Sequence, residues 1–274
     1  MKKLVVVADW AYDSLTCAEI GLAVEGFLKS EEKPNFYFIT STPSTIHTGF
    51  LINQVITTEE RYGHPLETII FQNTDPRLFS KEKLEKAQGA DPLIIKLKSG
   101  IYLTGPNAGY DFSFIKDKID ELFVYRDVNE EGQFHSRDLY ARISAHLMEG
   151  LEDEMEMEEI SSNVIPEIFD KYYIAHIDNF GNIKTTIKKE ALKGKYKYGD
   201  LVKIKIRNTE NKAKFVDNLF GGIPGELVIY PGSSGAIDNP FLEISAWQHF
   251  DELKPKTGQD FFVNPKPGME IELG

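Results

Sequence analysis

Hydrophobic positions in the first half of the chain alternate between two rhythms. Leu4-Val5-Val6-Val7-Ala8 is a continuous apolar run of the kind found in strands covered on both faces, and it ends in Asp9. Over 14–29, Leu15, Ala18, Leu22 and Leu28 fall roughly on one face, which predicts a helix capped by Ser14 or Asp13. The same reading predicts strands at 36–39, 68–71, 92–97 and 101–103, and helices at 49–57, 81–87, 112–123 and 137–148. Such alternation predicts an α/β class with a layered, mostly parallel sheet.

The texture changes after residue 148. Seven of the eleven positions 149–159 are acidic, and Ser161-Ser162-Asn163 and Pro166 follow, which reads as a solvated linker. Beyond it, strand-like segments at 172–177, 183–187, 201–206, 226–230, 242–247 and 269–273 are separated by turns rich in Gly, Asn and Pro. The expected organisation is an α/β domain over 1–160 and a mainly β domain over 166–274.

Composition narrows the partners. The chain has 274 residues, 41% hydrophobic and 27% charged, enough for a sizeable core. Its net charge of −12 opposes binding to a polyanion, so no nucleic-acid partner is expected. No run of eighteen apolar residues is present, so no membrane partner is expected either. A lone Cys17 excludes an internal disulfide, and the histidines show no paired ligand spacing, so the expectation is a cytoplasmic protein with no metal.

Several residues have types and positions that suit chemistry. Asp9 stands at the carboxyl end of the first strand, where open α/β sheets bind ligands, and one carboxylate there can accept from both hydroxyls of a ribose; as a plain reading, it caps the next helix. Asp75 is similarly placed in Asn73-Thr74-Asp75-Pro76-Arg77, which alone reads as a turn. His135, in Phe134-His135-Ser136-Arg137-Asp138, sits at a helix entrance, where the dipole suits a neutral acceptor; an ordinary surface or core histidine is the alternative. Asp178-Asn179-Phe180-Gly181-Asn182 reads as a hairpin turn, and Gly232-Ser233-Ser234-Gly235 as a turn whose amides and hydroxyls suit an anionic group.

Taken in order, these segments resemble the S-adenosylmethionine hydroxide adenosyltransferase family, the group that includes the fluorinase and chlorinase halogenases. Ala8-Asp9-Trp10-Ala11 is similar to the family's Thr-Asp-Phe-Gly, and the stretch 68–76 to its Thr-Ile, strand and Asp-Pro. Gly105-Pro106-Asn107-Ala108-Gly109 resembles Gly-Pro-Asp-Asn-Gly, the segment 134–138 Phe-His-Gly-Arg-Asp, and 177–182 Ile-Asp-Arg-Phe-Gly-Asn. Gly225-Glu226 and Ser233-Ser234-Gly235 resemble the family's Gly-Glu and Asn-Ser-Ser-Gly.

That likeness implies an amino-terminal α/β layer, a carboxyl-terminal β-barrel, and a homotrimer holding its small-molecule nucleoside substrate between subunits. The implied activity is hydrolysis of S-adenosylmethionine to adenosine and methionine, with no cofactor. Asp9 would bind the ribose, Asp178 and Asn182 the methionine end, and Ser233 and Ser234 that end or the adenine; Trp10, Asn107 and Ser136 would line the pocket. Asp75 and His135 would flank the attacking water. The family's Gly-Val-Gly after Asp-Pro is replaced by Arg77-Leu78-Phe79, and the position of its arginine by Glu82, so Arg77, Lys81 and Lys83 are the nearby cations and Arg77 the catalytic candidate. The alternatives are a protein that binds the nucleoside without turnover, and a halide-dependent adenosyltransferase.

Overall fold

Burial of the opening apolar run organises the first unit. It forms β1 (Lys3–Ala8), with β2 (Asn35–Thr40) and β3 (Thr68–Asn73) parallel to it on either side. Because helices cover both faces, Leu4 to Ala8 are all buried, as a two-sided strand requires. The protein is described from a computed structural model over residues 2–76, 90–128, 134–168, 171–247 and 255–274. The chain divides into two compact units, Met1–Glu167 and Ile168–Gly274.

The first unit carries a seven-stranded sheet in the order β2-β1-β3-β5-β4-β6-β7, with β4 (Pro92–Leu97), β5 (Tyr102–Pro106), β6 (Ile119–Tyr125) and β7 (Met157–Glu159). β5 runs parallel to β3, whereas β4 is antiparallel to β5 and β6, and β7 to β6. The α/β class with a layered sheet is as expected; the sheet is mixed, parallel through β2, β1, β3 and β5 and antiparallel through β4, β6 and β7. Helices α1 (Ser14–Phe27) and α3 (Ala141–Glu149) pack on the face that presents Leu4, Val6, Phe71 and Ile94. Helix α2 (Thr45–Tyr62) buries Ile46, Phe50, Ile52 and Ile56.

Several local readings need correction. The cap of α1 is Asp13, whose carboxylate accepts from the Leu15 amide at 3.2 Å. Its inward face is Ile20 and Val24, one turn apart, while Leu15 and Leu22 are exposed. The segment 112–123 is not one helix: a 3-10 turn at Ser113–Lys118 leads into β6, where the alternation of Leu122 and Val124 wins over the helical reading. The acidic stretch is no linker, because it ends in β7 at the sheet edge, with Met157 packed on the core and Glu158 and Glu159 exposed. The helix expected at 81–87 lies outside the described residues.

The second unit is a closed barrel, β10-β11-β12-β13-β9-β8-β14, of β8 (Tyr172–Ile177), β9 (Ile183–Lys188), β10 (Leu201–Ile206), β11 (Thr209–Phe215), β12 (Val228–Gly235), β13 (Pro240–Ser245) and β14 (Glu270–Leu273). Ile174, Ile183, Ile187, Val202, Ile204, Ile229, Leu242 and Ile244 fill its interior. Strand β11 escaped the sequence reading because its outer face is polar and only Ala213 and Phe215 are buried.

Candidate functional site

Three acidic side chains follow the ends of three adjacent parallel strands. Asp9 comes directly after β1, Asp75 two residues after β3, and Asp111 five residues after β5. Parallel strands in one sheet end at one edge, so the topology brings these carboxyl groups to the crevice where α/β sheets bind ligands. Their charges act on one another. Burial pushes the Asp9 carboxyl up; its own amide and that of Trp10 pull it down, and the negative charge of Asp75 pushes it further up. Asp111 is driven well above the carboxylate range by burial first, then by Asp75 and Asp9.

Polar ties fix these strand ends. Gln72 donates through Nε2 to the Pro106 carbonyl at 2.6 Å, and its Oε1 accepts from the Thr74 amide at 3.0 Å, locking the end of β3 to that of β5. The Thr74 hydroxyl meets those of Thr48 on α2 at 2.7 Å and of Ser41 at 3.1 Å, all three buried. Between β5 and the 113–118 turn, the chain lies directly on α2. A Cβ at Gly49 would stand 2.6 Å from the Tyr110 carbonyl and 2.9 Å from that of Asp111, so glycine is required for this approach.

On the other face, aromatic rings line up beside Asp9. Trp10 packs against Phe71 and Phe134 with centroids 6.3 and 6.2 Å away, and Phe71 stacks on Tyr140 at 5.3 Å. His135 immediately precedes a π-helical turn, Ser136–Tyr140, that opens into α3; such turns recur at functional sites. Ser136 is fully buried and its hydroxyl accepts from the Asn73 side-chain amide, while His135 is exposed. Arg137 is engaged by Asp138 at 2.7 Å and by Glu19 at 3.5 Å.

The structure thus brings the segments of Asp9, Trp10, Asp75 and Ser136 together, with His135 at the same turn. Asn107 donates to the Val164 carbonyl at 3.3 Å. Arg77 lies outside the described residues. Asp111 was missed by sequence reasoning; its signal was a lone acid bordering the apolar positions Phe112, Phe114 and Ile115. A depression of about 470 Å³ lined by Lys2, Leu28, Pro34 and Met148 lies by the start of β1, the end opposite Asp9. Among the described residues, no three His, Cys, Asp or Glu side chains are grouped to hold a metal ion, and no helix is long and apolar enough to cross a membrane.

In the second unit, Asp178 and Asn182 close the hairpin between β8 and β9. Asp178 Oδ1 accepts from the Phe180 and Asn182 amides at 2.9 and 3.0 Å, and its Oδ2 from Asn182 Nδ2 at 3.0 Å. Gly181 takes φ +75°, the left-handed conformation the turn demands. The Asn182 side-chain carbonyl accepts from Ser245. Ser233 is exposed and bonded to Glu243, whereas Ser234 is buried.

Residues 172–245 match the SAM hydroxide adenosyltransferase C-terminal domain. The carboxyl-terminal unit is similar to that family over these residues. The resemblance read from the sequence is therefore borne out. Over 145 residues the chain is also 33% identical to the (R)-S-adenosyl-L-methionine hydrolase of Methanocaldococcus jannaschii. That alignment covers 47% of this chain and 50% of that protein, so the chain spans about half the length of this curated relative. Two solved structures share the fold of this chain: an uncharacterized conserved protein from Thermotoga maritima (TM-score 0.67, 20% identity, 99% of this chain and 100% of that one) and a conserved hypothetical protein from Thermus thermophilus (TM-score 0.58, 15% identity, 100% of both).

Proposed function

We propose that the protein hydrolyses S-adenosylmethionine to adenosine and L-methionine by in-line attack of a water on C5′. The observation that supports this best is the meeting of Asp9, Asp75 and the Ser136 turn at one sheet edge. In this reading Asp9 accepts from the ribose hydroxyls, Trp10, Asn107 and Ser136 bound the nucleoside, and Asp178, Asn182, Ser233 and Ser234 serve the methionine end. Asp75 takes the water's proton and His135 lies across from it, with Arg77 the cation nearest Asp75 in the chain.

The chemistry is economical. The sulfonium leaves C5′ as a neutral thioether, carrying the bond's electron pair, so the leaving side needs no acid. Only the water needs help, and a positioned base supplies typically about 10²–10⁴-fold, with alignment adding more. The reading includes a homotrimer in a reducing cytoplasm, checked by light scattering for a mass of three chains.

Incubating purified protein with S-adenosylmethionine and following adenosine by chromatography tests the activity. Equimolar adenosine and methionine, absent in Asp75→Ala, is the expected result. Tight adenosine binding with no product replaces the hydrolase by a binding protein, and product formed only with chloride or fluoride replaces it by a halide-dependent transferase.

A further inference from the structure

One outward row of the barrel is polar and yet buried. Leu242 and Ile244 fill the barrel interior, so strand alternation turns Glu243 and Ser245 of β13 to its other face. Across the ladder, Glu243 is paired with Tyr230 of β12 on one side and Lys184 of β9 on the other, and it accepts from both side chains, at 3.1 and 2.8 Å. A buried Lys–Glu pair brings little net stability, because desolvation offsets the attraction. Its use lies in what it holds in place.

It holds the Gly232–Gly235 turn. The pairing of β12 with β13 shifts register between Pro231 and Gly235, which marks a bulge, and bulges re-aim the side chains they carry. Glu243 Oε1 accepts from the Ser233 amide at 2.9 Å and from its hydroxyl at 3.2 Å, while Lys184 Nζ donates to that hydroxyl at 3.2 Å. A Cβ at Gly232 would collide with the Glu243 side chain, so glycine admits the acid there. The neighbouring Ser234 is 1% exposed, and its hydroxyl has no hydrogen-bond partner among the described residues. Buried polar atoms are normally satisfied, so an open hydroxyl on a pinned bulge marks where a ligand or a held water completes the set.

The same strand face holds the second turn. Ser245, two residues beyond Glu243, is fully buried and donates to the Asn182 side-chain carbonyl, and Asn182 Nδ2 donates to Asp178 at 3.0 Å. The Asp178–Asn182 hairpin and the Ser233–Ser234 bulge are therefore moored to one rigid strand, at points about 7 Å apart along it.

Building on the hydrolase reading, we propose that Glu243 and Ser245 are positioning residues, which from one face of β13 fix the bulge and the hairpin at the spacing that receives the amino-acid end of the substrate and leave the Ser234 hydroxyl free to bond it. That end brings an ammonium and a carboxylate at a set separation, so partners held at a set separation bind it with little ordering cost. Lys184 cancels the charge of Glu243, which would otherwise repel the carboxylate. None of these groups takes part in breaking the C5′–S bond, so their loss is read in binding rather than in turnover.

The test titrates the full chain calorimetrically with S-adenosylmethionine and with adenosine, which lacks the amino-acid end. The variants are Glu243→Gln, Ser245→Ala, and Lys184→Met combined with Glu243→Leu. Urea melts establish that each is folded, and adenosine release gives kcat and KM. Ser245→Ala and the double variant should weaken S-adenosylmethionine by about tenfold or more and raise KM, with adenosine affinity and kcat little changed. Glu243→Gln, whose amide oxygen can still accept from Ser233, should lose less than the double variant. Equal losses for both ligands in a folded variant, or none for either, overturn the positioning role alone. The expected pattern of affinities in a protein that makes no adenosine overturns the hydrolase reading and supports the positioning. A wild type that binds neither ligand overturns both.

Discussion

The side-chain amide of Asn73 donates to the hydroxyl of Ser136 and so joins the end of β3, two residues before Asp75, to the turn that begins beside His135. One bond thus sets the spacing between a strand end and a helix entrance that are 63 residues apart in the chain.

Cutting that tie should cost alignment more than stability. Asn73→Ala is expected to lose about 1 kcal/mol of stability, the usual net worth of such a bond. It is expected to lower kcat by about 10–100-fold with KM little changed, because small misplacements of reacting groups are expensive. Steady-state kinetics beside urea melts give both; a proportional loss in KM instead would assign the bond to substrate binding.

Asp9 and His135 are expected to divide the work. Asp9→Ala should weaken adenosine binding by about 1.5–3 kcal/mol, the range for hydrogen bonds to a charged group. His135→Ala should leave it unchanged, since the ring is exposed at the turn rather than beneath the ribose. Titration calorimetry with adenosine reads both, and equal losses would dissolve the division.

Asp111 also predicts how stability varies with pH. Burial, Asp75 and Asp9 raise its carboxyl well above the ordinary value, so the fold keeps a proton that the unfolded chain gives up. That contribution is complete below the unfolded value of about 3.9 and is lost as pH climbs towards the folded value. Asp111→Asn carries no such loss. Its Tm advantage over the wild type is expected to widen as pH rises from about 4; a constant gap between the two melting curves would show that Asp111 ionises freely in the fold.

In the barrel, Glu243 is 4% exposed and accepts from Lys184 at 2.8 Å, the Tyr230 hydroxyl at 3.1 Å and the Ser233 amide at 2.9 Å. Burial, followed by this carboxylate, raises the Tyr230 phenol, which stays protonated and able to donate. Lys184→Met strands the acid and should cost about 3 kcal/mol, the low end for a broken buried pair because Lys184 keeps some solvent. Lys184→Met with Glu243→Leu should cost less than Lys184→Met alone in urea denaturation. The reverse order would mean that the bonds from Tyr230 and Ser233 matter more than the charge.

The amino-terminal half was legible where one physical signal dominated. The apolar run 4–8 could only be a two-sided strand, and Asp9 at its end followed from that. Where two signals competed, the reading failed. Ile119 to Tyr125 carried enough apolar spacing for a helix, yet cross-strand pairing with β4 decided the outcome. Asp111 was invisible for a different reason: its chemistry lies in desolvation and in the approach of Asp9 and Asp75, and neither leaves a local pattern in the chain. Arg137, within the segment that resembles the family's Phe-His-Gly-Arg-Asp, is held by its own neighbour Asp138.

The charged rim of β7 bears on how copies of the molecule behave when concentrated. A last strand offers free amides and carbonyls to any passing strand, and the exposed Glu158 and Glu159 make that invitation repulsive between like molecules. Replacing these two acids would remove the guard, so colloidal stability is tied to the end of a stretch that reads in sequence as a tether.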